Sequence, residues 1–260
     1  MILLEELREK ARLKSLSMGN AEKDYLIDLI LLSISKRTKS ELVFKGGTCL
    51  YKFYKLDRFS EDIDFTAITT INAEKLAEGI ISDLKAFGIN CTLHRKKEPF
   101  NSVLMTLRCE GPLYSGTPQS YATVRVDINL KSGVDAEPLT LNYSSWYSDI
   151  PRFSLIVMQE NEIVAEKIRA VFSRNKARDV YDLWFLLNKG VAADENIIGK
   201  KLEYYSQKWG LHEFEKSIEA KRSIWKKELG LIMKNVPGFD GAKKLVLKEA
   251  KKWTFRKKHQ

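Results

Sequence analysis

The stretch from Phe44 to Phe65, FKGGTCLYKFYKLDRFSEDIDF, decides how the rest of the chain is read. An apolar run, Leu42, Val43 and Phe44, leads into it as a buried strand, and Gly46-Gly47-Thr48 follows at once. Leu50, Phe53 and Tyr54 then recur at helical spacing, which predicts a short amphipathic helix. The stretch closes on Asp62-Ile63-Asp64-Phe65. Successive side chains of a strand point to opposite faces, so Ile63 and Phe65 enter a core while Asp62 and Asp64 share the other face. Two carboxylates side by side repel unless a cation lies between them. Mg²⁺ held by one or two carboxylates together with substrate phosphates is the common solution. The paired glycines are complementary, because they let backbone N–H groups approach a phosphate at a helix N-terminus, where the dipole favours negative charge.

Gly46-Gly47-Thr48, thirteen residues and then Asp62-x-Asp64 resembles the signature of the DNA polymerase beta-like nucleotidyltransferase superfamily. The longer string KGGTxLxKxYxLxRFSEDIDF, from Lys45, resembles the AbiEii/AbiGii toxin nucleotidyltransferases in particular. The likeness is specific because a glycine turn, a following helix and a paired-acid strand come in fixed order.

Composition narrows the class. The chain has 260 residues, 44% of them hydrophobic and 30% charged, which suits a soluble globular protein of two domains with a substantial core. A net charge of +10 favours a polyanionic partner. The three cysteines, Cys49, Cys91 and Cys109, have no paired spacing, and with only His94, His212 and His259 a zinc or histidine-rich site is not expected. The cysteines point to a reducing compartment rather than a disulfide framework. No apolar run is long enough for a bilayer and the N-terminus lacks a signal-peptide core, so a cytoplasmic protein is expected.

Residues 3–15 and 19–37 read as helices, the second starting at Asn20 and carrying the stripe Tyr25, Leu26, Leu29, Ile30 and Ile34. Residues 72–87 form a further helix, stopped by Gly88, and strands are predicted at 90–97, 101–110 and 120–130. In the last of these the apolar residues alternate, leaving Arg125, Asp127 and Asn129 on one face. A third acid on a strand after the paired acids is what a two-metal nucleotidyl-transfer site needs, and the resemblance predicts an acid there. Asp135 and Glu137 are loop residues and poorer candidates. Pro151–Met158 reads as a strand or an extended connector, and a domain boundary is expected near residue 153, dividing 1–152 from 153–260.

From Glu160 the pattern is helical, and two or three further helices are expected beyond Gly190. Two helices meet around Arg174-Asn175-Lys176, with Asn175 a candidate N-cap. Lys167 lies along the apolar face of the first, and Asp179 and Asp182, three apart, share a face of the second. The spacing also allows a modest surface pair between Arg178 and Asp182, and Tyr181 and Trp184 read as core. EKxRAxxSRxxxRDxYDLWFLL resembles the second motif of the AbiEii/AbiGii group, in which a lysine and an aspartate of the helical domain complete the active site. On that likeness Lys167 contacts the triphosphate, with Asp179 favoured for the site and Asp182 for its support. The tail is basic, with Lys243, Lys244, Lys248, Lys251, Lys252, Arg256, Lys257 and Lys258 around Trp253 and Phe255, which suits either an RNA grip or a solvated terminal helix.

The fold expected is α/β (α+β), a nucleotidyltransferase domain with a mixed sheet followed by a C-terminal helical domain. The chemistry expected is attack of an acceptor hydroxyl on the α-phosphate of an NTP with release of pyrophosphate. Asp62, Asp64 and Asp127 hold Mg²⁺ (or Mn²⁺), and Gly46, Gly47 and Thr48 cradle the triphosphate. Lys45, Arg58 or Lys167 neutralises the leaving group, and Ser60 touches the metal-bound phosphates. The resemblance implies a toxin of a toxin–antitoxin or abortive-infection system, a tRNA end as acceptor and a cognate antitoxin as partner. A nucleotide-binding regulator without turnover, a transferase with a small-molecule or protein acceptor, and an RNA-binding or protein-interaction module working through the basic tail are the alternatives.

Overall fold

Leu42–Lys45 is buried along its length and forms strand β1, with β2 (Asp62–Ala67) antiparallel beside it, Phe44 opposite Phe65 and Lys45 opposite Asp64. In the computed structural model, which describes residues 1–99 and 101–253, these strands lie in the middle of a seven-stranded mixed sheet. The others are β3 (Cys91–Lys97), β4 (Ser102–Cys109), β5 (Ala122–Asn129), β6 (Leu139–Tyr143) and β7 (Phe153–Val157). Their spatial order is β3-β4-β5-β2-β1-β7-β6. β5 is parallel to β2 and β7 to β1, and the remaining neighbours are antiparallel. Phe44, Ile63, Phe65, Val126 and Ile128 share one face and are all buried, which is what holds the sheet together. The other face of β2 and β5 presents Asp62, Asp64, Arg125 and Asp127.

The chain divides into two compact units. The first comprises Met1–Lys55, Phe59–Val134 and Pro138–Val157; the second comprises the chain from Met158 on, together with Leu56–Arg58 and Asp135–Glu137. The change of unit after Val157 follows from β7, which pairs with β1 and β6 and is part of the sheet.

Four helices complete the first unit: α1 (Leu4–Leu13), α2 (Met18–Ser35), α3 (Gly46–Phe53) and α4 (Ala73–Ala86). The cap of α2 is Ser17, not Asn20: the Ser17 hydroxyl accepts the Asn20 N–H at 3.2 Å. Asn72 caps α4 through the Lys75 N–H at 2.9 Å, and Gly88, at φ +76°, ends that helix as expected. The sequence alone predicts no strand at β6, most of whose residues are exposed or half-exposed.

In the second unit α5 (Glu160–Ser173) and α6 (Ala177–Asn188) pack against α7 (Glu195–Glu203), α8 (Leu211–Glu219), α9 (Trp225–Leu229) and α10 (Phe239–Ala250). Among the described residues that is four α-helices beyond Gly190, where two or three helices are expected; α9, at five residues, is too short to carry a periodic pattern. α6 begins after Lys176 rather than Asn175. Beside a buried aliphatic core, Phe172, Trp209, Phe214 and Trp253 form one aromatic cluster and Tyr181, Trp225 and Phe239 a second. The Glu162 carboxylate accepts the N–H groups of Asp135 and Ala136, both at 2.9 Å, and pairs with Lys201 at 2.6 Å. That network binds residues 135–137 into this unit.

Candidate active site

β2 and β5 run parallel with Asp64 opposite Asp127 and Asp62 opposite Arg125. Alternation along each strand then puts all three carboxylates and the guanidinium on one face. Arg125 Nε donates to Asp62 Oδ1 at 2.9 Å, and the neighbouring Asp62 charge raises the guanidinium's pKa. The sequence places Arg125 beside Asp127; the register shows that its partner lies across the strands. Among the described residues no group of three or more His, Cys, Asp or Glu side chains stands together as a metal cluster. The donor set is nevertheless of carboxylate oxygens alone, which is the chemistry a hard divalent cation takes.

Lys45, the last residue of β1, immediately precedes α3 and is buried. Gly46 has φ +75°, and a Cβ built there would lie 2.4 Å from Asp64 Oδ2, so the turn admits no side chain. Gly47 and Thr48 form the first turn of α3, whose unpaired N–H groups and dipole suit an anion. The Thr48 side chain faces inward: its hydroxyl donates to the Asp62 carbonyl and lies 3.0 Å from the Ser60 hydroxyl. Thr48 and Ser60 thus tie the glycine turn to the start of β2, and both are buried.

In the second unit Lys167 of α5 bridges the two aspartates of α6, with Nζ 3.0 Å from Asp179 Oδ1 and 2.6 Å from Asp182 Oδ2. Arg58 forks onto Asp182 through Nε and Nη2, both at 2.6 Å, and Arg174 forks onto Asp179 at 2.7 and 2.9 Å. Burial pushes both carboxyls upward. The Lys167 and Arg174 charges at Asp179, and the Arg58 and Lys167 charges at Asp182, outweigh it and hold both below the usual carboxylate range. Asp182 is therefore a buried group and not half of a surface pair with Arg178. Arg58 is 1% exposed, so its guanidinium is committed to Asp182. The sequence reading missed Arg174; a basic residue five positions before an acid at a helix start was the available signal.

A second network was also missed. Lys52 of α3 sits buried with Nζ 2.5 Å from both Asp24 Oδ1 and Asp28 Oδ1 of α2. Lys14 also pairs with Asp24, while Tyr143 and Ser145 donate to Asp28 and Tyr147 donates to Asp24. Asp135 pairs with Lys200 and Lys201, so it serves the fold. In the basic tail Lys243 pairs with Glu215 and Glu219, Lys252 pairs with Glu249, and Trp253 packs on Trp209. Phe255, Arg256, Lys257 and Lys258 lie outside the described residues.

Residues 30–258 match a family model described as nucleotidyl transferase AbiEii toxin, type IV toxin–antitoxin system. No curated protein matches the sequence. Among solved structures, the chain is similar to MenT4, a nucleotidyltransferase toxin of Mycobacterium tuberculosis, with 19% identity, TM-score 0.66 and coverage of 94% of this chain and 85% of that one. It is also similar to JHP933 of Helicobacter pylori, with 20% identity, TM-score 0.57 and coverage of 90% and 91% respectively. At these identities the two structures speak for the fold.

Proposed function

The chain belongs to the AbiEii nucleotidyltransferase toxin family of type IV toxin–antitoxin systems, and from that premise we propose that it moves a nucleoside monophosphate from an NTP to a hydroxyl of RNA, the 3′ end of a tRNA, releasing pyrophosphate. The observation that carries this reading is the parallel register of Asp64 with Asp127, with Gly46 closed against Asp64. Asp62, Asp64 and Asp127 are the residues that would hold Mg²⁺ or Mn²⁺, Asp62 exchanging Arg125 for the cation. Such a cation supplies activation of the attacking hydroxyl and neutralises the leaving pyrophosphate. The backbone N–H groups of Gly46, Gly47 and Thr48 receive the triphosphate, with Lys45 beside them. Ser60 acts by holding Thr48 and the start of β2. Lys167 neutralises phosphate charge, and Asp179 and Asp182 orient it, since both accept from its ammonium. The Arg58 fork keeps Asp182 in place; a direct phosphate contact would need that fork to open. The net charge of +10 supports a polyanionic acceptor, and a cognate antitoxin is the protein partner that the family suggests.

The test is a labelling assay with purified protein, Mg²⁺, total tRNA and each of the four α-labelled NTPs, beside an Asp62→Ala control. Label entering RNA with the intact protein alone is the expected result. Pyrophosphate released while RNA stays unlabelled would move the acceptor to a small molecule or protein. NTP binding without label or pyrophosphate would leave a regulator and overturn the proposal.

A further inference from the structure

Cys91 and Cys109 stand directly opposite each other in the β3–β4 ladder, and the Cys109 thiol donates to Cys91 Sγ at 3.0 Å. One step further out, the Glu110 N–H donates to the Asn90 carbonyl at 2.8 Å. Positions 90 and 110 therefore make a hydrogen-bonded pair, and 91 and 109 a non-hydrogen-bonded one. In pairs of that kind the two Cα atoms approach to about 4.5 Å, within the span a disulfide bridges. β3 is the terminal strand of the sheet, so its outer edge is open to fraying, which gives a small reagent a path to Cys91. Cys91 is 7% exposed and Cys109 fully buried, so Cys91 is the thiol that a reagent meets first. The hydrogen bond from Cys109 also lowers the Cys91 pKa while raising that of Cys109, which makes Cys91 the nucleophile of the two.

We propose that Cys91 and Cys109 are a redox-active dithiol that closes to an intramolecular disulfide by exchange with a low-molecular-weight disulfide such as oxidised glutathione. The Cys91 thiolate attacks one sulfur of the reagent, forming a mixed disulfide and expelling one small thiolate, which takes up the proton Cys91 gave up. Cys109 then loses its proton and attacks Cys91 Sγ, expelling the second small thiol. The protein dithiol loses two electrons and two protons, and the reagent becomes two thiols. The product staples the edge strand to its neighbour across an 18-residue separation. This inference does not depend on the nucleotidyl-transfer reading.

The experiment treats the native full chain with oxidised glutathione, quenches with acid, and then counts thiols in denaturant, measures intact mass and maps peptides. The thiol count is expected to fall from three to one, leaving Cys49. The mass should fall by two hydrogens, with one cross-linked peptide joining Cys91 to Cys109, and reduction should restore all three thiols. Cys109→Ser is expected to stop at a glutathione adduct on Cys91. Three thiols surviving in the native protein, a persistent adduct on the unsubstituted chain, or a bond through Cys49 would each overturn the proposal. Should Cys109→Ser fail to fold, the peptide map of the unsubstituted protein decides alone.

Discussion

Gly46 shows how closely the glycine turn and the acid face are built together. Its φ of +75° disfavours any L side chain, and a Cβ there would press on Asp64 Oδ2. Gly46→Ala is expected to cost about 1–3 kcal/mol of stability through backbone strain. It should also lower turnover by roughly 10²-fold, the scale of an ångström-sized misplacement of a reacting group. Denaturant unfolding and pyrophosphate release check the two effects, and unchanged turnover would contradict the placement of Asp64. Asp182 is the corresponding residue of the helical unit. Asp182→Ala leaves Arg58 and Lys167 buried with a carboxylate removed, for an expected loss of about 3–5 kcal/mol in urea unfolding. Because Asp179 and Asp182 have folded pKa values below their unfolded ones, their stabilisation is complete above the unfolded value of about 4 and is lost as pH falls through the folded values. Their share of stability should therefore be flat between about pH 7 and 5 and decline below about 4. Asp182→Asn should make that decline shallower. An equally steep acid loss in the variant would show that the carboxyl titrates as it does in the unfolded chain.

At the scale of elements, α3 carries the glycine turn at its start and Lys52 near its end. Lys52 fixes the helix to Asp24 and Asp28 of α2, so the turn is held from both sides. Lys52→Met is expected to cost about 3 kcal/mol or more, since it leaves two buried carboxylates with one cation, Lys14, between them. A loss under about 1 kcal/mol in urea unfolding would show that the carboxyls protonate and the network is dispensable. The contrast between β2 and this network explains what was legible in the sequence. Asp62-Ile63-Asp64-Phe65 declares its strand and its two faces by alternation alone. Asp24 and Asp28 stand four residues apart in a largely apolar helix and carry no such signal, because their partner Lys52 is supplied only by the fold. β6 was invisible for a different reason. It is an edge strand with one buried residue, Tyr143, so no hydrophobic period marks it.

Over the whole molecule, the two units are not successive pieces of sequence. Leu56–Arg58 and Asp135–Glu137 cluster with the helices from Met158 on, through the Arg58–Asp182 fork and the Glu162 network. A boundary read from a change of pattern finds the helical half but cannot find these inserted segments, whose allegiance rests on side-chain contacts distant in sequence. A fragment beginning at Met158 lacks Arg58 and Asp135 and is expected to be marginal or unfolded. Circular dichroism melting would check this, and a cooperative melt matching that of the full chain would contradict it.

The decisive experiment is Mg²⁺-dependent pyrophosphate release from NTP by the intact protein, by Asp64→Ala and by Asp127→Ala, with folding verified by circular dichroism. If the paired register of β2 and β5 is the centre of nucleotidyl transfer, both variants keep their fold and lose at least about 10²-fold in rate, because each removes a carboxylate from the face that would hold the cation. A folded Asp127→Ala variant releasing pyrophosphate at the rate of the intact protein would contradict it.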